Sequence, residues 1–358
     1  MNIAYIYPEK LPAKNARSIS VINTACNLAK YADVSLIYEN SNEDIKKFYK
    51  IECDKLNFIP IKREMLFLRS NKIFNYNLSK YLDKFDYFYV RHLKTAEYLL
   101  KKGKKVIFEV HEIFSYKNQK IKELELFVLN NVNGLVVINT YIKKLLKEKF
   151  NIRQPIKVVR NGANIDFNYI KKDFTNIKEM YYIGSFQKWK GIEFLLDAVK
   201  DIDIKLNLVG NITDEIKGLA KDVVNVELLG YKSQEEVKKI LREAKLTVIP
   251  NTKNIDSEFS TPIKLYEYLQ SSCIVLASDL PTIKEIIKDG ENGFLFKIGN
   301  KYDFINKINY ILNLSVDELL KISRNGFETG KKFTWDNRAK EIVAFIKDLN
   351  AKNNIPSS

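Results

Sequence analysis

Short apolar runs alternate with stretches of helical periodicity along nearly the whole chain. Ile3–Tyr7, Val34–Tyr38, Tyr87–Val90, Val106–Val110, Leu135–Ile138 and Val158–Val159 punctuate the first half. Tyr181–Ile183, Leu206–Val209, Val224–Leu229, Leu246–Ile249 and Ile274–Ala277 punctuate the second. Most of these runs are continuously apolar rather than alternating, which predicts strands buried on both faces of parallel sheets. Between them, the periodicity predicts helices near Ser20–Lys30, Lys94–Lys101, Ile121–Asn130, Tyr141–Lys149, Gly191–Val199, Gln234–Ala244, Pro262–Gln270 and Asp303–Leu312. Such alternation in both halves predicts two doubly wound α/β units. A Gly-, Asn- and Lys-rich stretch, Asn161–Thr175, marks the boundary and gives domains 1–165 and 166–334. An amphipathic pattern over 335–350, with Trp335, Ile342, Phe345 and Ile346 inward, predicts a final helix, and Asn353–Ser358 reads as a disordered tail.

Candidate chemistry concentrates between Glu258 and Gly293. Thr261-Pro262 predicts a helix opening, with the hydroxyl as N-cap and proline at the first helical position. Lys264 and Glu267, three residues apart, then share one helix face beside an N-terminus that attracts anions. A cation one turn from a carboxylate suits a nucleotide sugar, with diphosphate at one end and ribose diol at the other. A solvated ion pair is the alternative reading. In Tyr181–Val199 a strand, a glycine turn and a helix opening at Lys190-Gly191 again place a cation where amides meet phosphate. His111 closes a buried strand, where α/β active sites collect. His92 reads as structural, and Arg91 beside it is a candidate for an acceptor phosphate. The turn Pro8–Ala16 after the first strand has no glycine and no GxxxxGK[ST] occurs, which sets aside dinucleotide-dependent hydride transfer and P-loop phosphoryl transfer.

TPIKLYEYLQSSCIVLASDLPTIKEIIKDGENGFLF resembles the donor-site segment of retaining GT-B glycosyltransferases of family 4. The shared features are an S/T-P-x-K-L-x-E-Y helix, a strand ending in A-S-D, a P-x-I-x-E loop and a D-G-x-N-G turn. YYIGSFQKWKGIEF resembles the family's G-R-x-x-x-x-K-G stretch, with Ser185 at the Arg position. KVIFEVHEIF is similar to its strand-end histidine, VVRNGANIDF to its strand–N-G–Asp link, and PAKNARSISVINTACNLAK to its first loop and helix, with Ala16 and Ser18 at glycine positions. The resemblance implies two Rossmann-like domains facing a cleft, with the tail helix packing back on the first. On the donor side it implies Lys190 as one cation of the diphosphate clamp, and Lys264, whose helix points at the same site, is the candidate to replace the absent Arg. Glu267 would bind the ribose hydroxyls, Gly184 and Ser185 form the turn, and Tyr231 lie by the base. The loop Asp279–Glu285, with Thr282, Ile283 and Glu285, would offer amides. His111 would face the transferred sugar, and Arg17, Ser18 and Arg91 lie on the acceptor side. Phe259 stands where many members carry a first glutamate. The activity implied is metal- and cofactor-independent transfer, with retention, from a UDP- or GDP-linked sugar to a glycan or lipid-linked acceptor, in cell-surface polysaccharide or glycoconjugate synthesis. A GT-B sugar-nucleotide epimerase and a basic nucleic-acid-binding protein are the competing readings.

Charge adds one element. The net charge is +15, and residues 1–170 hold 30 Lys+Arg against 17 Asp+Glu, while the remainder is nearly balanced. An anionic membrane surface, a lipid-linked acceptor or nucleic acid each account for such a bias. The basic residues form no recognisable nucleic-acid motif, so no nucleic-acid partner is expected. Lys62–Phe74 mixes Lys62, Arg63, Arg69 and Lys72 with Met65, Leu66, Phe67, Leu68, Ile73 and Phe74, the composition of an interfacial segment. Cys26, Cys53 and Cys273 show no metal or CxxC spacing. They read as reduced thiols of a cytoplasmic protein, peripheral at most on the inner face of the plasma membrane. The N-terminus reads as a first strand rather than a signal peptide, and no apolar stretch approaches a bilayer-spanning length.

Overall fold

The computed structural model describes residues 1–353 except 42, 66–67, 117 and 165–167. Two compact units emerge: Met1–Asn161 together with the C-terminal helix from Trp335, and Gly162–Thr334.

The first unit carries β1 (Asn2–Leu11), β2 (Asp33–Asn40), β3 (Asn57–Ile61), the hairpin β4 (Glu64–Met65) and β5 (Leu68–Arg69), then β6 (Tyr87–Val90), β7 (Val106–Val110), β8 (Gly134–Val137) and β9 (Ile156–Val158). Seven of these form one parallel sheet in the order β3-β2-β1-β6-β7-β8-β9. The order reverses between β1 and β6, the place where open α/β sheets bind ligands beyond their carboxyl ends. The helices Ala16–Leu28 and Trp335–Asn353 pack against each other. Ile342, Phe345 and Ile346 join a core with Tyr5, Val21, Ile22 and Tyr89, and Trp335 is buried.

The second unit carries β10 (Glu179–Ile183), β11 (Lys205–Val209), β12 (Val226–Gly230), β13 (Leu246–Ile249), β14 (Ile274–Ser278) and β15 (Phe294–Phe296), all parallel in the order β12-β11-β10-β13-β14-β15. Successive strand residues alternate between two core clusters, as a pleat requires: Met180, Leu246 and Ile274 enter one, Val275 and Ala277 the other. Here the order reverses between β10 and β13.

Several elements depart from the sequence reading, among them the helices Asp214–Ala220 and Val316–Gly330, which it does not mark. β3, with Pro60 at a partly exposed edge, and the three-residue β15 lack the long apolar run that marks central strands. Thr261 is not an N-cap: Pro262 takes the cap position in extended geometry and the helix starts at Ile263. The thiols of Cys26 and Cys53, read as reduced, are joined in a disulfide with Cα atoms 5.4 Å apart, leaving only Cys273 free and buried. Twenty-seven residues of sequence separate that pair, a distance the fold closes. Residues 354–358 of the expected tail, and Ile165, Asp166 and Phe167 of the N-G–Asp link, lie outside the described residues.

One buried ion pair ties the first unit together. Arg338, on the C-terminal helix, pairs with Glu109 of β7, and both side chains are 1% exposed. Its remaining donors reach Thr24 Oγ1 (3.2 Å), the Val159 carbonyl (2.8 Å) and the Arg160 carbonyl (3.2 Å). Removing one member of such a pair strands a buried charge. Arg338→Met is therefore expected to lower the unfolding free energy in urea by about 3–5 kcal/mol, and Glu109→Gln in the same chain to restore part of it.

Candidate functional site

The carboxyl end of β10 turns at Gly184, whose φ of +144° no other residue type adopts readily. A Cβ there would lie 2.6 Å from Lys264 Nζ. The chain continues through a single 3₁₀ turn, Lys188–Lys190, to Gly191 at φ +74°, where a Cβ would meet the Pro250 carbonyl oxygen at 1.9 Å. Glycine at both positions is thus a packing requirement, and it brings the Lys190 turn onto the exit of β13. The Thr252 N–H seals that contact by donating to the Trp189 carbonyl at 3.0 Å.

Two ammonium groups converge here. Lys190 Nζ lies 3.4 Å from the Trp189 ring centroid and Lys264 Nζ 3.6 Å from that of Tyr182. Lys264 Nζ is buried with no hydrogen-bond partner, so the i,i+3 ion pair with Glu267 is not made. Burial pushes the Lys190 ammonium down to about 7, with Asp256 opposing. Burial, then the like charge of Lys190, hold Lys264 well below the usual lysine range against Glu267. Burial raises the Glu267 carboxyl, opposed by Lys264. Two desolvated lysine head groups in one region, Lys264 without a hydrogen-bond partner, make a candidate anion site.

The other donor-side residues reach the structure in different ways. Ser185 is exposed, and its carbonyl accepts the Tyr182 hydroxyl at 2.6 Å. Tyr231, just after β12, is 68% exposed. Thr282 is buried and donates to the Ser260 carbonyl at 3.1 Å, while the Ile283 side chain sits in the core. The expectation of a loop rich in free amides needs correction. The amides of Asp279, Leu280, Ile283, Lys284 and Glu285 already bond to Phe296, Ser278, Leu280, Leu280 and Ile283 carbonyls, because Pro281–Lys284 folds as a helical turn. Sequence reasoning missed Tyr182 and Trp189 as the aromatic faces under the two lysines, although both lie in the stretch it singled out.

In the first unit, His111 follows β7, and its Nε2 bonds the Glu109 carboxylate. Burial opposes the Glu109 charge, but Arg338, His111 and Arg91 outweigh it and hold the carboxyl well below its usual range. Burial, reinforced by Arg91 and opposed by Glu109, lowers His111 to about 4. The imidazole is therefore neutral at pH 7, with Nε2–H donated to Glu109 and Nδ1 left as an acceptor. Arg91 follows β6 and carries a buried Nη1 without a hydrogen-bond partner. Two acceptor-side expectations change. The Ser18 hydroxyl is buried 3.2 Å from the Tyr7 hydroxyl and its N–H is held by Asn15, so it forms part of a helix start. Arg17 is half exposed and pairs with Glu9 at 3.0 Å. His92 bonds Thr95 Oγ1, in keeping with a structural role.

The Lys62–Phe74 segment forms the β4–β5 hairpin and the helix after it. Leu66 and Phe67 lie outside the described residues, while Met65 and Leu68 are 62% and 72% exposed. Phe74 is core. Arg69 makes a two-pronged bond to Glu39, and Arg63 reaches Glu39, Asn71 and the Pro8 carbonyl. A buried carboxylate thus engages two of the four cations, leaving Lys62 and Lys72 exposed. Among the described residues no helix is long and apolar enough to cross a membrane, and no cluster of His, Cys, Asp or Glu is placed to hold a metal.

Residues 168–329, which contain both lysines, match the family described as glycosyl transferases group 1. An uncharacterised glycosyltransferase of Methanocaldococcus jannaschii is 31% identical over 215 residues, 59% of this chain and 58% of that protein. The chain spans less than two thirds of the other curated relatives it matches as well. Among solved structures, sucrose-phosphate synthase of Thermosynechococcus elongatus superposes with a TM-score of 0.81 at 17% identity, covering 98% of this chain and 99% of that one. Anabaena HepE in complex with UDP-glucose gives 0.78 at 15% identity, covering 97% and 100%. The fold is GT-B.

An anion bound between lysines that are partly neutral when free must draw in protons. Inorganic pyrophosphate is expected to bind more weakly as pH rises above about 7, where free Lys190 loses its proton. Calorimetry at pH 8 in buffers of different ionisation heat should show net proton uptake. Pyrophosphate affinity independent of pH from 6.5 to 9 would contradict the lysine assignment.

Proposed function

We propose that the protein is a retaining glycosyltransferase of family 4, transferring a sugar from a nucleoside diphosphate sugar to a glycan or lipid-linked acceptor. The observation that carries this reading is the pair of desolvated lysines at the switch point of the second sheet. The group 1 match over that segment supports it, as does the UDP-glucose bound by HepE, which favours a uridine donor here.

In this reading the diphosphate lies against Lys190 and Lys264, and Glu267 accepts the ribose hydroxyls. As the glycosidic bond breaks, negative charge grows on the departing diphosphate, and the two ammonium groups stabilise it in a site where water does not screen them. No metal or cofactor is required for that charge balance. The acceptor hydroxyl gives its proton to the leaving phosphate oxygen, and attack on the face the phosphate leaves gives retention. The unpartnered Arg91 guanidinium supports an acceptor bearing phosphate, as a lipid-linked sugar does.

Lys190→Ala and Lys264→Ala are each expected to lower turnover about 10²-fold or more. Glu267→Gln is expected to weaken nucleotide binding by about 1.5–3 kcal/mol. Turnover should survive EDTA, and the nucleoside diphosphate should be released with each transfer, which an epimerase would not do. A Lys264→Ala enzyme with wild-type kinetics would remove that residue from the clamp.

We propose further that the protein docks on an anionic membrane surface through Lys62 and Lys72 beside exposed Met65 and Leu68. Sedimentation with vesicles should require anionic lipid, weaken with salt, and fall in Lys62→Glu/Lys72→Glu. Equal sedimentation with neutral vesicles would contradict electrostatic docking.

A further inference from the structure

The resemblance expects a carboxylate at position 259 to hold the donor sugar. Phe259 is instead 1% exposed, a core residue. The segment that carries it leaves β13 at Pro250 and returns at Pro262 to the helix Ile263–Gln270, bracketing the lysine site. Between, the short helix Ile255–Phe259 packs on the Lys188–Lys190 turn and on Pro281–Lys284.

Both ends of this segment carry buried polar groups with nothing to bond. Asn251 is 1% exposed, and neither its Oδ1 nor its Nδ2 has a hydrogen-bond partner. Thr261 is 3% exposed, and its Oγ1 is likewise unpartnered. Each such group costs folding free energy, so native chains seldom retain them without a purpose. Their placement is specific. Asn251 is the second residue after β13, on the rim of the β10/β13 switch point, and its neighbour Thr252 is bonded to the turn that carries Lys190. Thr261 lies three residues before Lys264, whose Nζ is likewise buried without a hydrogen-bond partner. Lysine head groups with neutral donors and acceptors on the segment that brackets them match a diphosphate continued by a polyhydroxylated ring. An amide supplies one acceptor and two donors, enough to grip vicinal hydroxyls, and a hydroxyl supplies one of each kind.

We infer that Asn251 and Thr261 form the hydroxyl-recognition subsite for the transferred sugar, a neutral substitute for the carboxylate absent at Phe259. The inference rests on the donor reading above. It makes sugar recognition independent of any carboxylate at position 259, and it separates the sugar contacts from the phosphate contacts of Lys190 and Lys264.

Calorimetry tests it with UDP against UDP-glucose, with GDP against GDP-mannose and ADP against ADP-glucose as parallel pairs. Asn251→Ala and Thr261→Val are expected to weaken the nucleotide sugar about tenfold each. Binding of the nucleoside diphosphate alone should stay within twofold of wild type. Thr261→Ser, which keeps the hydroxyl, should bind the sugar nucleotide like wild type. Because the wild-type groups are unpartnered, the thermal midpoint of unliganded Thr261→Val should equal or exceed that of wild type, whereas a structural hydroxyl would lower it. Equal loss of both ligands, no loss of either, or a lowered midpoint overturns the subsite. Wild-type protein that binds no member of the panel overturns the donor reading, and the subsite with it.

Discussion

Two lysine head groups held out of water in the same region are the constraint that shapes the candidate site of the second unit. Burial disfavours the charge on each, and the Lys190 charge further disfavours that of Lys264. The fold holds them by placing an aromatic face under each, Trp189 beneath Lys190 and Tyr182 beneath Lys264. Gly184 makes room for the Lys264 head, and Gly191 lets the Lys190 turn close on Pro250. Such a site is costly when free, and in the proposed function that cost is offset when an anionic diphosphate enters.

The first unit solves the opposite problem. There a buried carboxylate, Glu109, is fully answered by Arg338 and by the neutral imidazole of His111. The imidazole is fixed in orientation and kept uncharged, so what it offers is a hydrogen-bond acceptor rather than a cation. The C-terminal helix thereby helps hold His111, because its Arg338 anchors the carboxylate that anchors the histidine.

What the sequence made legible follows from physics that acts locally. Central parallel strands are apolar on both faces, so β1, β6, β7, β13 and β14 are visible as runs. Edge strands such as β3 are not, because one flank meets solvent and Pro60 is tolerated there. Lys190 and Lys264 could be singled out as one region because motif spacing is a short-range property. Glu109 and Arg338, 229 residues apart, could not be, and neither could the Cys26–Cys53 bridge. Thr261 shows the limit within one motif. The S/T-P pattern predicts a cap, yet the extended Pro262 moves the helix start one residue on and leaves the hydroxyl free for another task. Ser18 runs the other way: placed on the acceptor side by sequence, it is closed off by Tyr7.

The claim that the lysine pair is a desolvated anion site has a direct measurement. Nitrogen-15 NMR of the lysine side chains, with Lys190→Arg and Lys264→Arg used for assignment, follows each ammonium through its titration. The account predicts that Lys190 titrates near 7 in the free protein, that Lys264 lies well below the ordinary lysine range, and that both move upward when UDP is added. Two lysines that titrate above 10 and ignore the nucleotide would contradict it.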